Sequence, residues 1–450
     1  MKKTLIKEAH IVNEGKIVVG DVLLHGERIE RIDFTINASK ENCEIIDAKG
    51  LYLIPGLIDD QVHFREPGLI QKGTIYSESR AAVAGGITSY MDMPNTKPNT
   101  LTLELLEDKY AIASKNSLSN YSFFMGIHKS NLNEALKIDN ELVCGLSDDG
   151  LYFDNNEGIL ANYPEYLEQL FSKTNSLVAL HCEDDAIIKE NTLQYKSLYG
   201  DNIPVEKHPL IRSEQACITA TKRVIEIAAR NNTRLHVFHV STKEEANLFR
   251  NDIPLRNKRI TGEACIHHLW FSVDDCATLG NKIKWNPAIK SNADKEGLLK
   301  ALLDNKLDII ATDHAPHLLS EKEGNYFKTM SGGPLAQHAL VVLLELYHQG
   351  KLTMAEIVEK TSHHVAEIYR IRERGYIREG YFADLVLVDL NNQWTSTTSN
   401  TLYKCGWSPF DNYIFKSKVL KTFVNGHLTY DKGRFNETKN GQRLKFEKER

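Results

Sequence analysis

Five residues of this chain are of the types that hold a catalytic divalent metal: His63 in DDQVHFREPG, Asp149 in LSDDG, His181 in LHCEDD, His239 in HVFHVST and Asp313 in ATDHAPH. Imidazole and carboxylate are what zinc and related ions choose where thiolates are absent, and a catalytic centre keeps one position open for water. Such a centre makes water reactive near neutral pH and polarises a carbonyl. The five are spread from residue 63 to residue 313. No single helix or hairpin can gather them, so the fold must converge distant segments.

Each of the five closes, or directly follows, an apolar strand-like run. Eight such runs occur: YLIPGLID, ITSYMDMP, YSFFMGI, LVCGLSDD, SLVALHC, LHVFHVS, ITGEACIHH and LDIIATDH. Between several of them lie stretches with helical periodicity, such as SEQACITATKRVIEIAARNN and DKEGLLKALLDNK. Repeated βα units predict a parallel sheet, and eight of them predict a closed (β/α)8 TIM barrel in an α/β protein. An open doubly wound sheet is the alternative. The barrel is preferred because it brings all strand C-termini, where the polar residues sit, around one mouth.

The first fifty residues read as short strands with Gly15, Gly20 and Gly26 at turns, and similar patterning returns in YIREGYFADLVLVDL and VLKTFVNGHLTYDKGRF. Residues 1–55 and 375–435 are therefore expected to form one small β-sandwich domain, with the barrel over 56–374 inserted between them. The polar end, residues 436–450, is expected to fray.

The chain has 450 residues, 42% hydrophobic and 26% charged, with a formal net charge of −5. That is enough for a large core, and scattered basic residues at this charge predict no nucleic-acid partner. Seven cysteines without a CxxC pair argue against a disulfide framework and a thiolate zinc knuckle. The start lacks an uninterrupted signal-peptide core and no apolar run is long enough for a membrane span, so a cytoplasmic protein without a membrane partner is expected.

The strings GLIDDQVHFREPG, MDMPNT, LSDDG, LHCEDD, FHVSTKEE, IKWNPAIK and IIATDHAPH, in this order along nearly the whole chain, resemble class I dihydroorotases of the amidohydrolase superfamily. HFREPG and ATDHAPH are the specific signals. The resemblance implies that His63, Asp149, His181, His239 and Asp313 are zinc ligands, with Asp149 bridging two metal positions and Asp313 also the general base. It implies that Arg65, Asn95 and His317 hold a substrate carboxylate and Asn286 the substrate ring. A guanidinium two residues beyond a ligand histidine suits bidentate carboxylate binding. The implied reaction is reversible opening of the cyclic amide of dihydroorotate to carbamoyl aspartate in pyrimidine synthesis, by a homodimer.

One departure stands out. The family motif carries a histidine where this chain has Gln61, whose amide oxygen is a weak zinc ligand, so one or two zinc ions are expected, the second held weakly. Two rivals follow: a hydrolytically inactive paralogue that binds aspartate carbamoyltransferase, and another cyclic amidohydrolase of hydantoinase or allantoinase type. The latter usually carries a lysine for carboxylation, and LVCGLSDDG has none. Elsewhere, His267 and His268 are expected to pack, Asp59, Asp60 and Asp148 to cap or orient neighbours, and Glu183, Asp184 and Asp185 to form a solvated loop.

Overall fold

In the computed structural model, which describes residues 3–37, 43–152 and 159–448, the chain forms a mixed α/β fold with a separate terminal sheet. The N-terminal part supplies β1 (Lys3–Asn13), β2 (Lys16–His25), β3 (Arg28–Asp33), β4 (Cys43–Asp47) and β5 (Tyr52–Pro55). Then come nine parallel segments: β6 (Leu57–Val62), β7 (Ile87–Asp92), β8 (Asn120–Phe123), β9 (Met125–Gly126), β10 (Leu146–Ser147), β11 (Val178–Leu180), β12 (Leu235–Val237), β13 (Ile260–Cys265) and β14 (Ile309–Ala311). The C-terminal part adds β15 (Leu385–Asp389), the small pair β16 (Trp394–Thr395) and β17 (Ile414–Phe415), then β18 (Lys418–Val424), β19 (His427–Asp431) and β20 (Arg434–Phe435).

The parallel strands pair in the order β6-β7-β8 and β9-β10-β11-β12-β13-β14. Only Phe124 separates β8 from β9, and Val62 at the end of β6 bridges His314 just beyond β14 in parallel. The order thus returns to its start. All six residues of β6 and of β7 are buried, as strands covered on both faces require. Helices intervene, among them Ile75–Ala84, Leu103–Asn116, Glu214–Asn231 and Asn292–Leu303. The helix Glu214–Asn231 starts where the Ser213 side chain accepts from Ala216 N, and Asn232 ends it in the left-handed conformation. It turns Ala216, Ala220, Val224, Ile227 and Ala228 inward, a helical stripe against the strands.

Two findings differ from the sequence reading. YLIPGLID is not one strand: Tyr52–Pro55 pairs with β15, whereas Leu57–Val62 joins the parallel set. Gly56 marks the divide, because a Cβ there would lie 2.1 Å from the Thr88 hydroxyl. The terminal strands, expected as a sandwich, share one nine-stranded hydrogen-bonded sheet in the order β20-β19-β18-β15-β5-β1-β2-β3, with β4 also on β1.

The C-terminal segment does not fray before residue 448. Tyr121 N donates to Gln442 O and Leu444 N to Tyr121 O, while Leu444 and Phe446 are 0% and 2% exposed. Polar neighbours masked an alternating apolar pair that is buried in one cluster with Ile58, Met91 and Phe124.

Candidate active site

The metal-capable residues stand one or two positions beyond strand ends: His63 after β6, Asp149 after β10, His181 after β11, His239 after β12 and Asp313 after β14. All five are buried and meet in one place. His181 Nδ1 lies 3.0 Å from His239 Nε2. Asp149 Oδ1 is 3.6 Å from the first nitrogen and 3.7 Å from the second. Ligands about 2.0 Å from a tetrahedral zinc stand roughly 3.3 Å apart, so this set fits such an ion. The two ring nitrogens stand within hydrogen-bond distance of each other, where a proton or a metal ion can sit between them.

The other Asp149 oxygen, Oδ2, faces the second half of the cluster. It is 3.2 Å from His63 Nε2, which is also 3.2 Å from Asp313 Oδ1. Burial opposes a charge on His63, but its hydrogen bonds to Asp149 and Asp313 prevail and push its pKa up to about 9. His181 behaves alike, raised to about 9 by Asp149 and Glu183 against burial. Burial also works against the Asp149 charge, yet the three imidazoles hold its carboxyl well below the ordinary range. The cluster is an electrostatic well for positive charge.

Gln61 does not offer its oxygen to this well. Its amide nitrogen donates to Asp149 Oδ2 at 3.2 Å, and its Oε1 accepts from the Cys265 thiol at 3.4 Å. The half with His63 and Asp313 therefore offers two donors and the shared carboxylate, while the half with His181 and His239 offers a three-donor set with Asp149.

Supporting residues aim the ligands. Asn95 Oδ1 is 2.8 Å from His63 Nδ1, so that ring presents Nε2 to Asp149 and Asp313. Asp148 accepts the His181 backbone N–H. Glu183, expected in a solvated loop, is fully buried: it bonds His181 Nε2 at 2.7 Å and pairs with Arg212. Its neighbours Asp184 and Asp185 also make ordered contacts, Asp184 capping the helix Asp185–Tyr199 and pairing with Arg223. Arg65, His239 and Asp313 have φ of 71°, 36° and 47°. These left-handed conformations store strain where function is concentrated.

Beside the metal-capable cluster lies a cavity of about 130 Å³, lined by His63, Arg65, Asn95, Asn286, Asp313 and His317 among others. Every substrate-binding candidate thus reaches one space. Arg65 is 6% exposed, donates through Nε to Pro316 O at 3.1 Å and approaches His317 Nε2 at 3.2 Å. Among the described residues no carboxylate forms an ion pair with it. Asn286 Oδ1 is held 3.0 Å from His208 Nε2. The sequence reading missed Lys72, whose Nζ is 3.0 Å from His317 Nδ1 and 2.9 Å from Glu321, and it missed Tyr152 and Trp285 in the lining. The tyrosine hydroxyl, 3.2 Å from His181 Nδ1, gave no local signal.

Fold and site together define an amidohydrolase. The profile of the Amidohydrolase family matches residues 52–429, and the chain belongs to that family. Curated relatives named dihydroorotase include those of Methanosphaera stadtmanae, 30% identical over 95% of this chain and 96% of the relative, and Staphylococcus epidermidis, 30% identical over 95% and 99%. Among solved structures, L-hydantoinase from Arthrobacter aurescens superposes with a TM-score of 0.91 at 22% identity, covering 99% of this chain and 100% of its own. Dihydropyrimidinase from Brevibacillus agri gives 0.86 at 23%, with the same coverage. The chain is a cyclic amide hydrolase, and no helix among the described residues is long and apolar enough to cross a membrane.

Proposed function

We propose that this protein is a zinc-dependent dihydroorotase built on a closed (β/α)8 barrel, interconverting dihydroorotate and N-carbamoyl aspartate in pyrimidine synthesis. The observation that carries the reading is the buried Arg65, without an ion-pair partner among the described residues, on the wall of the cavity beside Asp149 and Asp313. Buried charges are normally paired, so this guanidinium is set for an anion that arrives with the substrate. Dihydroorotate carries one carboxylate; plain hydantoins and dihydropyrimidines carry none. Relatives named dihydroorotase support the same substrate.

Asp149, His181 and His239 would hold the zinc, which supplies activated water and polarises the ring carbonyl. Asp313 takes one proton of the attacking water and passes it to the departing ring nitrogen, while the carboxylic acid formed by ring opening loses its proton to solvent. Arg65 and His317 anchor the carboxylate, and Asn95 adds to them while keeping His63 turned. Asn286 positions the ring. Ring closure runs the same steps in reverse, its direction set by concentrations and pH.

Turnover of dihydroorotate, hydantoin and allantoin by one zinc-loaded preparation tests the proposal. A kcat/KM for dihydroorotate well above the other two is expected. Preference for an uncharged ring would transfer the chain to the hydantoinases, and no turnover of any would favour a non-catalytic role.

A further inference from the structure

A second set of metal-capable side chains lies inside the parallel strands, separate from the mouth: Asp60 on β6, His236 on β12 and Glu263 on β13. All three are 0% exposed. His236 Nε2 is 3.1 Å from Glu263 Oε2 and 3.5 Å from Asp60 Oδ2. These separations bracket the roughly 3.3 Å edge expected of ligands about 2.0 Å from a tetrahedral ion.

The hydrogen bonds around the set make its centre electron-rich. His236 Nδ1 is 2.8 Å from the Thr261 hydroxyl, which itself donates to Leu235 O, so Nδ1 carries the proton. That leaves the Nε2 lone pair facing two carboxyl groups. Glu263 Oε1 accepts from His239 N and from the Cys265 thiol, and Asp60 Oδ2 accepts from the Tyr369 hydroxyl. Donors therefore approach both carboxyl groups from outside, and the two carboxyl groups stand within hydrogen-bond reach of each other. Asp60 Oδ1, fully buried, accepts from no donor among the described residues. Among the described residues neither Asp60 nor Glu263 pairs with a lysine or arginine. Two carboxyl groups and an imidazole lone pair converging in a dry interior call for a positive charge between them, a shared proton or a metal ion.

The geometry points to a second, structural divalent-cation site of zinc type, with Asp60, His236 and Glu263 as its ligands. Tyr369 orients Asp60, and Glu263 ties the ion to the backbone of His239, a ligand at the mouth. The ion cross-links three strands and enters as the chain folds, since the site has no opening. The site is independent of the proposed substrate, because its occupancy is read without turnover.

The test is elemental analysis of zinc in protein produced with zinc and dialysed against EDTA. A variant with Asp149→Ala, His181→Ala and His239→Ala, which removes the carboxylate shared by both halves of the mouth cluster, is expected to retain one zinc per chain. Adding Asp60→Asn or His236→Gln to it is expected to remove that ion. Cobalt(II) in place of zinc should give the d–d absorption of a tetrahedral nitrogen and oxygen set, lost in the same variants. A zinc-free mouth variant overturns the site and leaves a carboxyl proton as the bridging cation. So does an ion that survives both added substitutions. If the added variants fail to fold, the count in the mouth variant decides alone.

Discussion

The mouth cluster and the inner cluster use the same chemistry and differ in placement. In both, imidazole and carboxylate from separate strands bring donor atoms within 3.0–3.7 Å and 3.1–3.5 Å respectively. The inner residues sit within strands, closed on every side. The mouth residues sit past the strand ends, two of them in left-handed backbone, and Asp149 and Asp313 reach a cavity that also exposes Arg65. Ligand type alone does not mark a reactive centre. What separates the two is access, together with the buried Arg65 guanidinium on the cavity wall beside the metal-capable residues.

The largest effect should come from the group the inner cluster lacks, a carboxylate free to exchange protons with substrate. Asp313→Asn is expected to lower kcat on dihydroorotate by about 10²–10⁴-fold while the fold and bound zinc persist. A nearly full rate in the Asn variant would erase the distinction between the clusters. Next, Arg65→Met should reduce kcat/KM by about 3 kcal/mol, on the order of a hundredfold, with metal content unchanged. Steady-state kinetics beside elemental analysis would show it, and an unimpaired variant would deprive the mouth of its anion site.

Gln61→His sharpens the comparison from the other side. It supplies the imidazole that the half with His63 and Asp313 lacks, so zinc titration should reveal one further ion at the mouth, bound at least about tenfold more tightly than any second ion in the unaltered chain. Equal second-ion affinity in both proteins would mean that the amide is no handicap.

The smallest effect is on stability, at a buried carboxyl outside both clusters. Glu245 accepts from Thr221 Oγ1 and Ser241 N, and burial raises its pKa to about 7 from 4.5 despite those bonds. Between those values the unfolded chain has released a proton that the folded chain keeps, so stability falls as pH rises through the window and the loss is complete above 7. Glu245→Gln removes that dependence. Its unfolding free energy relative to the unaltered protein should improve by about 1–3 kcal/mol from pH 4 to pH 8. Parallel pH profiles for the two would show that the carboxyl does not titrate in this range.

The mouth was legible in sequence because function concentrates where strands end, and strand ends show as polar residues closing apolar runs. His63, Asp149, His181, His239 and Asp313 all announced themselves this way. The inner cluster did not. Strands buried on both faces lose the alternation that tells which residues point inward, so Asp60 read as a simple cap. Glu183 was misread for a different reason: the run Glu183-Asp184-Asp185 looks solvated until Arg212, 29 residues later, arrives to neutralise it. The side-chain orientation of Gln61, set by Cys265 from across the strands, is likewise nonlocal. The βα alternation was plain, but the division of YLIPGLID at Gly56 depended on Thr88, a partner in another strand.

The sheet made from both chain ends has a consequence for synthesis on the ribosome. Leu53 on β5 pairs with Leu387 on β15, so one edge of the N-terminal strands stays open until roughly 330 further residues emerge. At about 5–20 residues per second that wait lasts roughly 15–70 s. During that time an unpaired strand edge is presented to every neighbouring nascent chain, a template for mispairing. The exposed time of that edge is thus set by the length of chain between the two paired strands, and not by the strands themselves.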